Sequence, residues 1–332
     1  MTAAYDIVTI GNAIVDVFAR TDDDFLIRQG MHKGSMALID EARAEAIYAA
    51  MGPATEISGG CAANTATGTT SFGARSAFIG KVRNDKLGLS FSHDVRAAGV
   101  AFEVPLSTDG PATARSFILV TPDGERTMNT YLGAAQLLGP EDIDAELIAA
   151  STITYLEGYL WDPPRAKEAF LKASAIAHGA KRTVALTLSD SFCVDRWRDE
   201  FLQLVRSKTV DLLFANEAEL HSLYQTADFA TALAALRADA RMAVVTRGER
   251  GCLAVSGERT EEVPAFPIER LVDTTGAGDL FAAGFLFGLS RQFDLADAAR
   301  LGSLAAAEII QHIGARPECS LRALAQKNGL PV

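Results

Sequence analysis

Cysteine is scarce in this 332-residue chain: Cys61, Cys193, Cys252 and Cys319 stand far apart, with no C-x-x-C pair and no Cys/His cluster. That excludes a disulfide framework or a zinc site as the organising principle and fits free thiols in a reducing compartment. Basic charge is also short. Lys and Arg number 31 against 42 Asp and Glu, a net charge of −11. This balance argues against nucleic acid or an anionic membrane surface as the main partner, although a local site can be positive inside a negative protein. Long apolar runs are missing. The most apolar stretch, Leu280 to Leu289, is too short to cross a bilayer, and Met1–Asp6 leads into Ile7–Ile10 without the basic start and long apolar core of a signal peptide. A cytoplasmic protein is the expectation. There is no fixed-period repeat, no low-complexity segment and no G-x-x-x-x-G-K-[ST]. Nor does a G-x-G-x-x-G follow the first apolar run, where Gly11-Asn-Ala-Ile-Val-Asp16 stands instead, so a dinucleotide-dependent oxidoreductase finds little support.

What is present reads as one large α/β domain spanning 1–332, since 48% hydrophobic residues at this length suffice for a sizeable core. Short β-type runs at Ile7–Ile10, Ala77–Ile79, Thr152–Leu156, Thr183–Leu188, Leu212–Ala215 and Met242–Thr246 read as buried strands. They alternate with helical patterns at Ala42–Met51, Ala62–Phe72, Ala166–His178, Arg196–Val205 and Phe229–Leu236. Alternation of this kind implies a mostly parallel central sheet with helices on both faces. Two segments, about 13–40 and 101–131, break the pattern with shorter alternating strands. Within the second, Ala112–Val120, the turn Thr121-Pro-Asp-Gly124 and Glu125–Thr130 read as a β-hairpin. Such strands would form a small β-sheet over the C-terminal edge of the main one, where α/β proteins hold ligands.

Three segments carry chemistry. In Asp273-Thr-Thr-Gly-Ala-Gly-Asp279 a glycine-rich loop runs straight into an apolar helix. The amides of Gly276, Ala277 and Gly278 can approach an anion closely, and the helix adds its positive end. Asp279 repels phosphate, so a pure phosphate site has no use for it, whereas a base that deprotonates an attacking hydroxyl must be there; a helix-capping role is the competing structural explanation. In Ser58-Gly-Gly-Cys-Ala-Ala-Asn64, Gly59 and Gly60 let backbone approach a ligand, and Asn64 offers donors and an acceptor to hydroxyls. Asn12 and Asp16 lie where the chain leaves the first strand, and a carboxylate beside an amide can clamp vicinal hydroxyls. Each of the last two segments reads equally as a turn or polar loop when taken alone.

Together these residues make the chain resemble the ribokinase-like, or PfkB, family of carbohydrate and nucleoside kinases along its whole length. The stretch 273–285 is similar to that family's C-terminal signature and 59–64 to its N-terminal one. The resemblance implies a ribokinase-like fold whose small sheet is a lid. It implies Asp279 as catalytic base, the Gly276, Ala277 and Gly278 amides as anion hole, and Asn12, Asp16, Gly59, Gly60 and Asn64 on the acceptor. Asn216-Glu-Ala-Glu219 resembles the family's N-x-x-E motif, which implies Glu219 near Mg²⁺ through water. Asn216, Thr246, Gly248 and Gly314 would then meet ATP. A requirement for K⁺ stays open. One departure is Arg83 in Gly80-Lys-Val-Arg83, where the family has glycine.

Within the family, Gly11-Asn-x-x-x-Asp16, Leu186–Phe192 and Val210–Glu219 resemble the members that phosphorylate adenosine. That implies adenosine as acceptor, with a free sugar such as ribose or fructose as the alternative and a non-catalytic nucleotide sensor behind both. A nucleoside base needs an apolar or aromatic clamp, for which Phe117, Tyr131, Tyr159 and Trp161 are candidates, each equally readable as core. Monomer and homodimer are both compatible with an exposed edge on a small sheet.

Overall fold

The computed structural model describes residues 3–332. In chain order its strands are β1 (Tyr5–Ile10), β2 (Ile14–Arg20), β3 (Met36–Leu38), β4 (Thr55–Gly59), β5 (Ser76–Ile79), β6 (Ala114–Val120), β7 (Arg126–Tyr131), β8 (Ser151–Glu157), β9 (Thr183–Thr187), β10 (Leu212–Asn216), β11 (Met242–Thr246), β12 (Cys252–Ser256) and β13 (Arg259–Val263). Eight of them build one sheet in the order β13-β12-β11-β10-β9-β8-β1-β5. The strands read from sequence are its parallel body. The antiparallel edge, β12 and β13, escaped that reading; β13, Arg259-Thr-Glu-Glu-Val263, is short, charged and only partly buried.

Side chains alternate across this sheet as the pleat requires. Val8 and Ile10 of β1 join one core, while Ile7 joins the other with Tyr155, Phe214 and Phe285. The second core is covered by the helices Ala277–Ser290 and Leu295–Ile309. The sequence reading did not include Leu295–Ile309 or Lys86–Ala97, although both carry apolar residues at helical spacing.

The remaining strands form a second sheet in the order β3-β7-β6-β2-β4. The two segments singled out in the sequence supply all of it except β4, whose Thr-Glu-Ile-Ser-Gly is hidden by the glycine pair that ends it. The hairpin forms with Val120 opposite Arg126, and Gly124 takes φ 87°. The strand-rich expectation is corrected in two places. Residues 101–113 contribute only isolated bridges, and Asp23–Arg28 is helical, capped by Asp22. The atypical Arg83 is put to use here: its Nη1 donates to the Gly110 carbonyl and its amide to Thr113 Oγ1, anchoring the loop that feeds β6.

Candidate active site

The site grows from a helix contact. In Cys61–Ser71 the side chains are small, and Gly68 faces Leu280 and Ala283 so closely that a Cβ on it would lie 2.6 Å from Leu280 Cδ1. This lets the N-terminal ends of the Cys61–Ser71 and Ala277–Ser290 helices converge, although 215 residues separate Asn64 from Asp279. Asn64 Nδ2 donates to Asp279 Oδ2 at 2.9 Å, and Thr65 Oγ1 donates to the Asp279 carbonyl at 3.2 Å. Asn64 Oδ1 is buried and has no partner.

Asp16 enters from β2. Its cross-strand partner on β4 is Ile57, and its carboxylate lies against Gly59, where a Cβ would come within 2.2 Å of Oδ2. Asn12 donates from Nδ2 to Glu157 Oε1 at 2.7 Å, and Glu157 Oε2 accepts the Ala62 amide at 2.9 Å. Sequence reasoning missed Glu157, whose only signal is an acid ending an apolar strand. Crowding these carboxylates out of water has a shared electrostatic result. Burial pushes Asp16 up to about 7 and Glu157 to about 7, with Asp279 adding to both. Burial pushes Asp279 up to about 6, against hydrogen bonds from Asn64 and Cys61 and the charge of Arg316.

At the helix start, Gly276 has φ 77°, a left-handed conformation suited to glycine, and a Cβ there would meet Ala315 Cβ at 2.7 Å. The Ala277 amide is already donated to the Thr274 carbonyl at 3.2 Å, whereas a Cβ on Gly278 would meet nothing within 4 Å. Asp273 holds the loop's shape by accepting from the Thr275 amide at 2.8 Å and the Gly314 amide at 3.0 Å. Arg126 of β7 pairs with Asp273 and donates to Thr275 Oγ1, so the second sheet touches the loop directly.

The expected nucleotide residues line a neighbouring stretch of the sheet edge. Asn216 and Thr246 are register partners at the ends of β10 and β11, and Gly248 follows with φ 59° and open space. Asn216 and Glu219 form a reciprocal cap: Asn216 Oδ1 accepts the Glu219 amide at 2.9 Å and Glu219 Oε2 accepts the Asn216 amide at 2.9 Å. Glu219 Oε1 takes the Asn216 Nδ2 donor at 2.6 Å. Both Glu219 oxygens are thus engaged in a buried cap, which suits a water-mediated contact with a cation better than a direct one. Among the described residues no cluster of three or more His, Cys, Asp or Glu is arranged to hold a metal ion.

The aromatic candidates do not assemble here. In β6, Ser116 pairs with Asp16 of β2 and Thr130 of β7, so Phe117 and Tyr131 point to the opposite face, into the core. Trp161 is buried against Phe170 and Phe201, and Tyr159 donates to Asp190 Oδ2 at 2.9 Å. Cross-strand pairing puts Phe18, Ile118, Met128, Met36 and Leu38 on the Asp16 face instead. Of these, Met36 is 47% and Leu38 58% exposed.

Among the described residues no helix is long and apolar enough to cross a membrane. The chain is similar to the adenosine kinase of Sinorhizobium meliloti, 54% identical with a TM-score of 0.92 over 98% of this chain and 100% of that one. A probable sugar kinase from Rhizobium etli is 52% identical, with a TM-score of 0.94 over 99% and 100% of the two chains. The adenosine kinase of Saccharomyces cerevisiae is 28% identical over 93% of this chain and 95% of its own. The model of the pfkB family carbohydrate kinases matches residues 39–321. The chain belongs to the pfkB family of carbohydrate kinases, and its two sheets are the ribokinase-like α/β fold.

Proposed function

We propose that this protein transfers the γ-phosphoryl group of ATP to the 5′-hydroxyl of adenosine, with Asp279 as general base. The observation that carries the chemistry is the placement of Asp279 in the first turn of a helix, its carboxylate oriented by Asn64 at 2.9 Å. Asn64 holds Asp279 Oδ2, and the carboxylate would take the hydroxyl proton as the new O–P bond forms and the bond to the β-phosphate breaks. The amides of Gly276 and Gly278, with that of Ala277 if it leaves Thr274, and the helix dipole then meet the charge developing on the transferring group, and the free space beside Gly278 is where that group fits. Asp16 and Asn12 hold acceptor hydroxyls against the backbone at Gly59 and Gly60. The orphaned Asn64 Oδ1 gains a partner when an acceptor hydroxyl arrives.

Asn216, Thr246, Gly248 and Gly314 would form the nucleotide edge, and Glu219, whose oxygens are engaged by Asn216, would help hold Mg²⁺ through water. When bound, Mg²⁺ neutralises phosphate charge during transfer. The second sheet acts as a lid that keeps water from the phosphoryl donor, and the Arg126–Asp273 pair links its closure to the anion hole.

Adenosine is favoured over a free sugar by the apolar strip of Phe18, Met36, Leu38 and Ile118 on the Asp16 face, whose exposed members, Met36 and Leu38, a purine base would bury and a sugar would not. The test is ADP release from ATP and Mg²⁺ with adenosine, other nucleosides, ribose and fructose. Saturable turnover with adenosine and background with the sugars is expected. Turnover on a free sugar alone would reject the acceptor and keep the mechanism, whereas ATP binding without turnover on any acceptor would reject both.

A further inference from the structure

Arg316 follows the Gly314 turn, on the nucleotide side of the site, and its guanidinium crosses to the acceptor loop. Nε donates to the Ser58 carbonyl at 3.0 Å. Nη2 donates to the same carbonyl at 2.7 Å and to Ser58 Oγ at 3.1 Å, while Nη1 reaches the Ala63 carbonyl at 2.8 Å and Thr67 Oγ1. Every guanidinium nitrogen is therefore committed to the segment that contains Gly59, Gly60 and Asn64. Planar, multidentate bonding of this kind is a property of arginine that lysine cannot copy.

The acids around it belong to separate elements. Asp16 faces it from β2, Asp279 from the start of Ala277–Ser290 and Asp94 from Lys86–Ala97. Asp94 itself accepts the Ser58 amide at 3.3 Å. Cys61 from the Cys61–Ser71 helix and Glu157 and Tyr155 from β8 complete the titratable groups around Asp279. Of the charged groups acting on Asp16 and Asp279, Arg316 is the cation common to both.

We propose that Arg316 is a positioning residue for phosphoryl transfer: it braces the 58–67 acceptor loop from the nucleotide side and supplies the positive charge shared by Asp16 and Asp279. The proposal rests on the kinase reading above and adds to it a residue that touches neither reacting atom. Without the cation, two carboxylates already strained by burial face each other uncompensated, and each takes up a proton at higher pH. Without the fork, Ser58 and Ala63 lose their common anchor and the acceptor site loosens.

Two variants separate these effects. Arg316→Met is expected to raise the acceptor KM about tenfold or more, leave ATP affinity near wild type and move the acid limb of kcat upward by about one pH unit. Arg316→Lys is expected to return the acid limb towards wild type while the acceptor KM stays high. A residue that merely supported the fold would lower the melting temperature and leave the pH limb in place. Both variants folded, with wild-type acceptor KM and an unmoved limb, would overturn the proposal. A readout that needs no turnover is the ¹³C NMR titration of the Asp16 and Asp279 carboxyls, which should both shift upward in Arg316→Met. If Arg316→Met does not fold, Arg316→Lys decides through acceptor KM or, lacking turnover, through acceptor affinity by calorimetry. Absence of transfer by the wild-type protein to every acceptor would reject the kinase reading, and the carboxyl titration would still decide the role of Arg316.

Discussion

The proposed acceptor half and the proposed nucleotide half of this site are built by different means. On the acceptor side Glu157 is buried and Asp16 and Asp279 are half-buried, and Asn12, Asn64 and Arg316 cross-brace the elements that carry them. On the nucleotide side the features are turns and open surface: Gly248 and Gly314 have positive φ and open space, and Ile268, Leu271, Val272 and Ile313 are exposed. The contrast fits two different tasks. A nucleophile must be oriented to within a fraction of an ångström, which needs a rigid and desolvated cluster, whereas a long polyphosphate can be gripped by backbone amides and an apolar ledge. The buried side holds its acids in costly surroundings, and that is what gives Asp279 a proton affinity suited to base chemistry near neutral pH.

The contrast can be broken or sharpened by substitution. The largest effect belongs to Asp279→Asn, expected to cut kcat by about 10²–10⁴-fold while ATP affinity, set on the other side, stays near wild type; equilibrium binding and steady-state assays together check this. Asp16→Ala removes charge-assisted hydrogen bonds to the acceptor and should raise acceptor KM by about 10–100-fold, again sparing ATP. A fall in ATP affinity instead would erase the division between the halves. Gly278→Ala should lower kcat/KM for ATP by roughly tenfold without changing the melting temperature, because the space it fills is empty of protein. The smallest effect is expected for Glu219→Ala, which loses a reciprocal cap worth about 1 kcal/mol, or about 2–4 °C in melting temperature. A collapse of turnover in that variant would instead make Glu219 a participant in the chemistry.

Legibility in the sequence followed locality. The 273–279 and 58–64 segments were readable because glycine placement, a following helix and a polar residue all lie within a few positions of one another. The parallel strands were readable from short apolar runs. The Arg316 contacts were not, since they bridge 258 residues to Ser58 and nothing beside Arg316 distinguishes it from a surface arginine. Phe117 and Tyr131 show a different limit. Whether a strand residue faces a site or a core depends on parity, and parity is unknown until Ser116 is seen opposite Asp16. The same register placed Met36 and Leu38 on the Asp16 face, although neither stands out in the sequence. Of the missed edge strands, β13 carries charges that hide its alternation, as a partly solvated antiparallel edge does, whereas β12 is a short, buried apolar run that the sequence reading did not include.

The most direct test of the account is the single-turnover rate of phosphoryl transfer to adenosine across about pH 5 to 8. Asp279 must be ionised to accept the hydroxyl proton, and its affinity is raised to about 6, so the base form predominates above that value and is lost below it. The rate should be flat near neutrality and fall about tenfold per pH unit below about pH 6. A rate that stays level down to about pH 5, in protein that remains folded and saturated with both substrates, would contradict the assignment of Asp279 as the base.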